Sequence, residues 1–303
     1  MRTRSLVFVL ACLAVASRAL ADTPSVPVPL ESESFETEQA NDAWQGPPKN
    51  GYWSVGKPRW FIAARPEVGT PYAKPYLSLG YGMPHWLWLG VDVNAIVTLE
   101  MAQAYGGVRA STPILDLAFG LRDTWSFEKR FMAPAPRFTR SDVLDGQGEH
   151  ARYWAWEAEG VAVLPLPYAG LVADVIVVRT LDVPEDLYVY DESYRAIVAK
   201  PLFVTARLAA VARFFKEQSV RVGVLAEHVF ETGRPEAVWR VGPIASIQLT
   251  DHLELNAGVT LAVASPDALG LSLGAYGIAG LRWRWATGEG KPEAPWQGRF
   301  IPW

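Results

Sequence analysis

Across residues 219–285 the chain alternates residue by residue between apolar and polar side chains, and this pattern limits the possible folds more than any other feature. Val222 and Val224, for example, alternate with Arg221 and Gly223. Successive side chains of an extended strand point to opposite faces, so a period of two indicates β-strands. Each alternating segment runs for roughly a dozen residues, which exceeds the usual five or six and fits a tilted strand that crosses a bilayer.

The polar face of these segments carries several Arg and Glu residues per strand. In the alternative folds, a soluble β-sandwich or a ligand-binding barrel, one face lies in a dry core that tolerates charges only where each is paired. A membrane barrel instead turns the apolar face to lipid and the polar face to its lumen. The sequence therefore predicts an all-β protein, an antiparallel up-and-down transmembrane β-barrel.

Similar alternation in earlier segments sets the expected number of strands. Counting a weak segment at Trp60–Arg65 gives 13 strands, and omitting it gives 12. Because single-chain bacterial barrels have even strand numbers, we expect about 12, with a range of 10 to 14. This count takes 187–200 as one strand. It leaves eight strands after the loop at 128–149, in which apolar and polar residues do not alternate. A strand in the tail at 293–303 would change the count.

The first residues have the layout of a secretory signal peptide. A basic start at Arg2 and Arg4 precedes an apolar stretch and the small-residue sequence Ala19-Leu20-Ala21. Cleavage there would remove residues 1–21 and with them Cys12, the one cysteine of the sequence. A lipoprotein signal ending at Cys12 is the alternative.

The remaining chain divides into three parts. Residues 22–58 are rich in Pro, Ser and Glu and are expected to form a flexible periplasmic arm, or else a plug that enters the lumen. Residues 59–287 are expected to form the barrel, and 288–303 a C-terminal tail. After the signal peptide no stretch of about 18 apolar residues occurs, so no helical span is expected.

The segment Gly280-Leu281-Arg282-Trp283-Arg284-Trp285 has a glycine followed by aromatic residues two apart. It resembles the terminal-strand signal of Gram-negative outer-membrane β-barrel proteins, although 18 residues follow it here. The resemblance implies a location in the outer membrane of a Gram-negative bacterium, and outer-membrane lipid and the barrel assembly machinery as partners. Aromatic residues near the expected strand ends would form girdles at the membrane interfaces: Trp86, Trp88, Trp125, Trp154, Trp156, Tyr188, Tyr190, Trp239, Trp283 and Trp285.

The polar face supplies the candidate functional residues, which we expect to line the lumen. With acids and bases in near balance, opposed walls of opposite sign would create a transverse field, or else neighbouring charges would pair and close the lumen. The candidates are Asp92, Asp116, Arg122, Glu157, Asp174, Arg207, Arg213, Arg221, Glu227, Arg240, Glu254 and Arg282.

These features predict a narrow passive pore for small hydrophilic solutes. The alternative is an occluded structural or surface-interaction barrel without transport. An outer-membrane hydrolase is a third reading, with His228 as its one candidate residue, but no companion nucleophile is evident and no enzyme activity is expected.

No cofactor is expected, because the sequence has neither a metal-ligand spacing nor a glycine-rich phosphate loop. The net charge of −4 and the lack of a basic field make nucleic acid an unexpected partner.

Overall fold

The computed structural model of the chain consists mainly of antiparallel β-strands. The expected signal peptide (1–21), the tail (288–303) and the arm (22–58, apart from Pro58) lie outside the residues that the structure describes. The described residues are 58–70, 72–144, 149–166, 168–214, 220–234, 237–250 and 252–287.

The wall of the barrel has 12 strands, which confirms the predicted fold class. Strands β1 and β2 together form the first wall strand, β3 and β4 the second, and β16 and β17 the last, whereas β10 and β11 form a separate hairpin. The elements in chain order are β1 (Arg59–Ala64), β2 (Glu67–Thr70), β3 (Ala73–Lys74), β4 (Tyr76–Met83), β5 (Leu87–Val97), β6 (Met101–Ser111), β7 (Leu115–Arg130), α1 (Arg140–Leu144), β8 (His150–Pro165), β9 (Ala169–Thr180), β10 (Tyr188–Asp191), β11 (Ala196–Ala199), β12 (Leu202–Phe214), β13 (Val220–Glu231), β14 (Val238–Gln248), β15 (Leu253–Ala264), α2 (Gly270–Gly274), β16 (Tyr276–Trp283) and β17 (Trp285–Ala286).

The barrel closes where the last wall strand pairs with the first. Arg282 is the register partner of Glu67, and Ala286 is the partner of Ala63. Each of the other wall strands pairs in antiparallel register with its neighbours along the chain, with β12 beside β9. Closure leaves no long sheet edge exposed, which is a requirement for backbone within hydrocarbon.

Two of the segment assignments from the sequence were wrong, and their errors cancel in the strand count. The weak segment at Trp60–Arg65 is a wall strand, β1. The segment at 187–200 is not a wall strand, because β10 and β11 pair only with each other in a two-stranded sheet. The expected last strand also begins later than its alternation suggests, since Gly270–Gly274 is helical.

The connections differ between the two ends of the barrel. One end, which we call the loop end, carries the connections β2–β3, β5–β6, β7–β8, β9–β12, β13–β14 and β15–β16, including the long stretch between Arg130 and His150. The other, the turn end, carries the remaining connections together with Pro58 and Thr287, the first and last residues of the described barrel. Seven wall strands follow the β7–β8 connection rather than eight, so this connection and the barrel's two chain ends lie on opposite sides.

The outer surface is apolar and the inner surface is charged, as the alternation predicts. Leu89 and Val224 are 64% and 53% exposed, whereas Asp92 and Arg240 are 0% and 1% exposed. A soluble protein has the opposite distribution, so this surface is of the kind that meets lipid. Neither α1 nor α2, the helices of the described chain, is long and apolar enough to cross a membrane.

Candidate functional site

The β10–β11 hairpin folds into the lumen from the loop end. Val189, Tyr194 and Val198 of the hairpin belong to one buried apolar cluster with inward residues of the wall, among them Ile176 on β9 and Phe203 on β12. Tyr194 packs edge-on against Phe203, with ring centroids 4.7 Å apart. The hairpin therefore fills the loop-end half of the lumen along the β8–β14 side. This placement corrects the expectation that Tyr188 and Tyr190 belong to an interfacial girdle, because Tyr190 is buried here.

Polar contacts fix the tip of the hairpin to both sides of the lumen. Asp191 accepts hydrogen bonds from the Tyr153 hydroxyl and, at 3.3 Å, from Gln103 Nε2. Tyr194 donates its hydroxyl to Glu157 Oε2 at 3.1 Å, and Arg240 Nη1 donates to the Tyr194 carbonyl at 3.1 Å. Burial raises the pKa of Asp191 despite these hydrogen bonds. The tip is thus held by strands β6, β8 and β14.

A compact cap covers the hairpin at the loop end. Its apolar cluster joins the β7–β8 connection, the hairpin and the β15–β16 connection. Both guanidinium Nη atoms of Arg234 donate to Asp267 at 2.7 Å, and the same carboxylate accepts the Phe138 backbone N–H at 2.9 Å. Burial alone would lower the pKa of Arg234, but the hydrogen bonds with Asp267 raise it. The cap therefore links three loops by one buried ion pair.

The turn-end half of the same wall is lined by apolar side chains. Val161, Val172, Leu225 and Ile244 form a buried cluster on the inner faces of β8, β9, β13 and β14. Together with the hairpin, this cluster fills the lumen along one side. The remaining space lies mainly along the opposite side, against β3 to β8, and also reaches Ile176, Arg207 and Ile278.

Two cavities occupy this remaining space. The larger, about 900 Å³ including space open to solvent, reaches Thr98 and Glu192 at the loop end. The smaller, about 610 Å³, reaches His85 and Thr112 at the turn end. Tyr76 and Arg109 line both cavities, so they lie at the boundary between them, which we call the neck.

Arg109 is held at this neck by carboxylates. It donates to Asp92 and Asp116, and its Nη2 lies 3.2 Å from Glu159 Oε2. The Tyr76 hydroxyl also donates to Asp92, and its ring lies 5.8 Å from the Arg109 guanidinium carbon. With four charged groups and one phenol in contact, the neck has a defined geometry rather than a loose set of mobile side chains.

The structure places the 12 candidate residues on the inner face of the wall, all of them buried except the partly exposed Asp116. Most belong to ion pairs that connect adjacent strands. Between adjacent strands the shortest N–O distances are Arg122–Glu157 at 2.5 Å, Arg240–Glu227 at 2.6 Å, Arg207–Glu227 at 2.8 Å, Arg282–Glu67 at 2.8 Å and Arg207–Asp174 at 3.3 Å. Arg221 and Glu254, which lie two strands apart, approach to 4.0 Å.

These pairs leave an uneven distribution of charge around the barrel. On β5 to β8, four inward carboxylates surround two guanidiniums, whereas on β12 to β17 together with β2, six guanidiniums accompany four carboxylates. In a wall of 12 strands, β5 to β8 lie across the lumen from β13 to β16. The acid-rich set is Asp92, Asp116, Glu157 and Glu159 with Arg109 and Arg122, and the base-rich set is Arg207, Arg213, Arg221, Arg240, Arg282 and Arg284 with Glu67, Glu227, Glu231 and Glu254.

Several residues of the site were missed in the sequence. Arg109 alternates with Val108 and Ala110 on β6, so its parity could have placed it inside. Glu67 follows a proline in a four-residue strand, which gives no periodic signal. The hairpin tip at 191–195 was missed because the whole segment was assigned to the wall.

Two of the histidines contact aromatic or backbone groups of the wall and its turns. His228 lies on the outer face and packs against Trp239, with ring centroids 4.2 Å apart. His252 Nδ1 lies 2.9 Å from the Arg284 carbonyl, in the β14–β15 connection. Within the described ranges, no group of three or more His, Cys, Asp or Glu side chains is arranged to hold a metal ion.

No family model and no curated protein matches this sequence. Solved structures of several outer-membrane barrels show a low similarity, and three of them serve as examples. A KdgM porin in complex with disordered oligogalacturonate is 8% identical, covers 74% of this chain and 98% of its own, and has a TM-score of 0.39. The β domain of the Bordetella autotransporter BrkA is 15% identical over 75% and 98% of the two chains, with a TM-score of 0.37. A further porin is 10% identical over 70% and 62%, with a TM-score of 0.33.

Proposed function

We propose that this protein is a narrow passive pore for small hydrophilic solutes in the outer membrane of a Gram-negative bacterium. The observation that carries the proposal is the pair of cavities, one reaching each end of the barrel and both lined by Tyr76 and Arg109. A solute that enters from either end meets the same neck.

The distribution of charge supports a role in transport. The acid-rich and base-rich sets face each other across the lumen, so a transverse field crosses the path of the solute. Such a field orients polar molecules and slows the passage of apolar ones, which must displace oriented water. This arrangement favours small hydrophilic solutes as the transported class.

The outer surface supports the proposed location. Its exposed aliphatic side chains would contact outer-membrane lipid, and exposed tryptophans occur towards both ends of the wall, with Trp60, Trp283 and Trp285 near the turn end and Trp154 and Trp156 near the loop end. Aromatic rings at these levels suit the two membrane interfaces. Insertion by the barrel assembly machinery is proposed from the terminal segment at 280–285, and export from the signal peptide at 1–21.

A second candidate function is an occluded barrel whose loops interact at the surface. The observation that favours it is the β10–β11 hairpin, which is held by Asp191 and Tyr194 and covered by the cap. If this hairpin and the neck block the lumen completely, the loop end is the functional surface. Conductance distinguishes the two candidates.

The test is single-channel conductance of the refolded chain in a planar bilayer. We expect small stepwise currents from the unsubstituted protein. Arg109→Ala should make these currents more cation-selective, because Asp92, Asp116 and Glu159 then face the neck without their guanidinium. The reversal potential in a KCl gradient measures this change.

Arg152→Ala is the matched control, because Arg152 lies on the outer surface with 60% of its side chain exposed. It should leave the reversal potential unchanged. Silent membranes that contain correctly folded barrel would contradict the pore and favour the occluded barrel. Equal effects of the two substitutions would show that the neck does not lie on the conduction path.

A further inference from the structure

Lys74 is a cation of the larger cavity whose charge the wall does not pair. It lies on β3 opposite Glu67 of β2, and its side chain is half-buried and lines the cavity. Glu67 is paired with Arg282 at 2.8 Å instead, and among the described carboxylates none forms a salt bridge with Lys74. Its ammonium therefore faces the cavity space, where a solute can reach it.

Three other cations that line this cavity already have carboxylate partners. Arg122 lies 2.5 Å from Glu157, Arg207 lies 2.8 Å from Glu227, and Arg195 lies 3.6 Å from Glu192. Because these charges are compensated within the protein, they attract a solute less than an unpaired ammonium does.

At the neck the balance is reversed, and carboxylates are in excess. Asp92, Asp116 and Glu159 share the single guanidinium of Arg109. Glu159 also lines the larger cavity, and its charge acts on that of Lys74. The cavity thus presents an unpaired positive group at Lys74 and an excess of negative charge beside Glu159.

We propose that the larger cavity binds small zwitterionic solutes of the amino acid class, with the solute carboxylate at Lys74 and the solute ammonium at Glu159. This inference rests on the proposed pore and names the class of its solute. A simple anion would be attracted by Lys74 but repelled by the neck, and a simple cation would meet the reverse, whereas a zwitterion complements both groups. Ile96, Ile176 and Ile278 also line the cavity and suit a short aliphatic side chain.

Alanine, lactate and lactamide are the probes, because they are nearly equal in size and carry two charges, one charge and none. Their uptake is measured with radiolabelled solute in proteoliposomes that contain the refolded full chain, with empty liposomes as background. We expect alanine to enter several-fold faster than either of the others. Lys74→Gln should remove the advantage of alanine over lactamide, and Lys74→Arg should retain it. Glu159→Gln should shift the preference from alanine towards lactate.

Lys129→Gln is the matched control, because Lys129 is a buried lysine that is paired with Glu100 at 2.8 Å and lines neither cavity. It should leave the ratios of the three uptake rates unchanged. An alanine advantage that survives Lys74→Gln, or that is lost equally in Lys129→Gln, would overturn the proposal.

Saturation-transfer NMR of alanine with the folded barrel in detergent tests the binding site without conduction. We expect a signal from the unsubstituted barrel and from Lys129→Gln, and none from Lys74→Gln. A signal that depends on Lys74, without uptake of any probe, would support the binding site and refute the pore. Equal uptake of all three probes without such a signal would overturn the binding site and leave the pore standing.

Discussion

At the scale of single residues, adjacent positions of one strand meet opposite environments, and β5 gives a clear example. Val93 is 51% exposed on the outer surface, whereas Asn94 lines the larger cavity. We expect Val93→Arg to destabilise the folded barrel by about 2–4 kcal/mol, because the charge would enter hydrocarbon. Asn94→Arg should cost less, since its guanidinium can reach a polar cavity. Urea titration of barrels folded into vesicles measures both values.

Val259→Arg, on the outer face of β15, should behave as Val93→Arg does. Equal tolerance on both faces of β5 would contradict the assignment of the outer surface to lipid. Gly223→Ser, which parity alone suggests as a mild inward substitution, is not a suitable control. A Cβ atom at Gly223 would lie 2.3 Å from the Ala210 carbonyl oxygen, so the backbones approach too closely for any side chain.

Parity in the sequence predicts which candidate residues face inward, but it carries no prediction of which of them contact one another. The ion pair between Arg282 and Glu67 joins residues 215 positions apart and depends on the closure of the barrel. The close approach at Gly223 depends on the register with β12 in the same way. Both are consequences of strand pairing, about which a single alternating segment carries no information.

At the scale of elements, the β10–β11 hairpin shows where alternation misleads. The segment at 187–200 has the composition of a wall strand, but each of its strands has only four residues, and a bilayer requires about nine to eleven. The residues between the two strands, Glu192-Ser193-Tyr194-Arg195, are mostly polar and include a turn-forming serine. This composition was the sequence signal that could have indicated a turn in the middle of the segment. Both faces of the hairpin are buried. The alternation of its sequence therefore did not distinguish a hairpin inside the lumen from a wall strand with one face toward lipid.

Removal of this hairpin should widen the loop-end half of the lumen. We expect replacement of residues 187–200 by a short Gly/Ser linker to raise the single-channel conductance several-fold. The unfolding temperature should fall at the same time, because Phe203, Ile176 and their neighbours lose the apolar side chains that cover them. Conductance and thermal unfolding of the same refolded sample check the two effects together.

A shortened β7–β8 connection is the control for this deletion, since α1 lies in the cap and does not line either cavity. Its conductance should remain near that of the unsubstituted chain. A hairpin deletion that conducts no better than this control would show that the neck alone limits the current.

At the scale of the whole molecule, the parity of the strand count determines the side on which each loop lies. The sequence predicted 12 strands but assigned eight to the chain after the β7–β8 connection, which put this loop on the same side as both chain ends. With β1 in the wall and the hairpin outside it, seven strands follow. The long connections then lie opposite the ends of the barrel chain, as in barrels with extracellular loops and periplasmic termini.

This arrangement can be tested by labelling single cysteines on intact cells. Ser141 is exposed in α1 at the loop end, and Tyr168 is 75% exposed in the β8–β9 connection at the turn end. We expect a membrane-impermeant maleimide to label Ser141→Cys on intact cells and Tyr168→Cys only after the outer membrane is opened. The unsubstituted chain serves as the background, since Cys12 lies in the expected signal peptide. The reverse result would mean that the barrel has the opposite orientation in the membrane. Labelling of both sites on intact cells would mean that the wall does not span the bilayer.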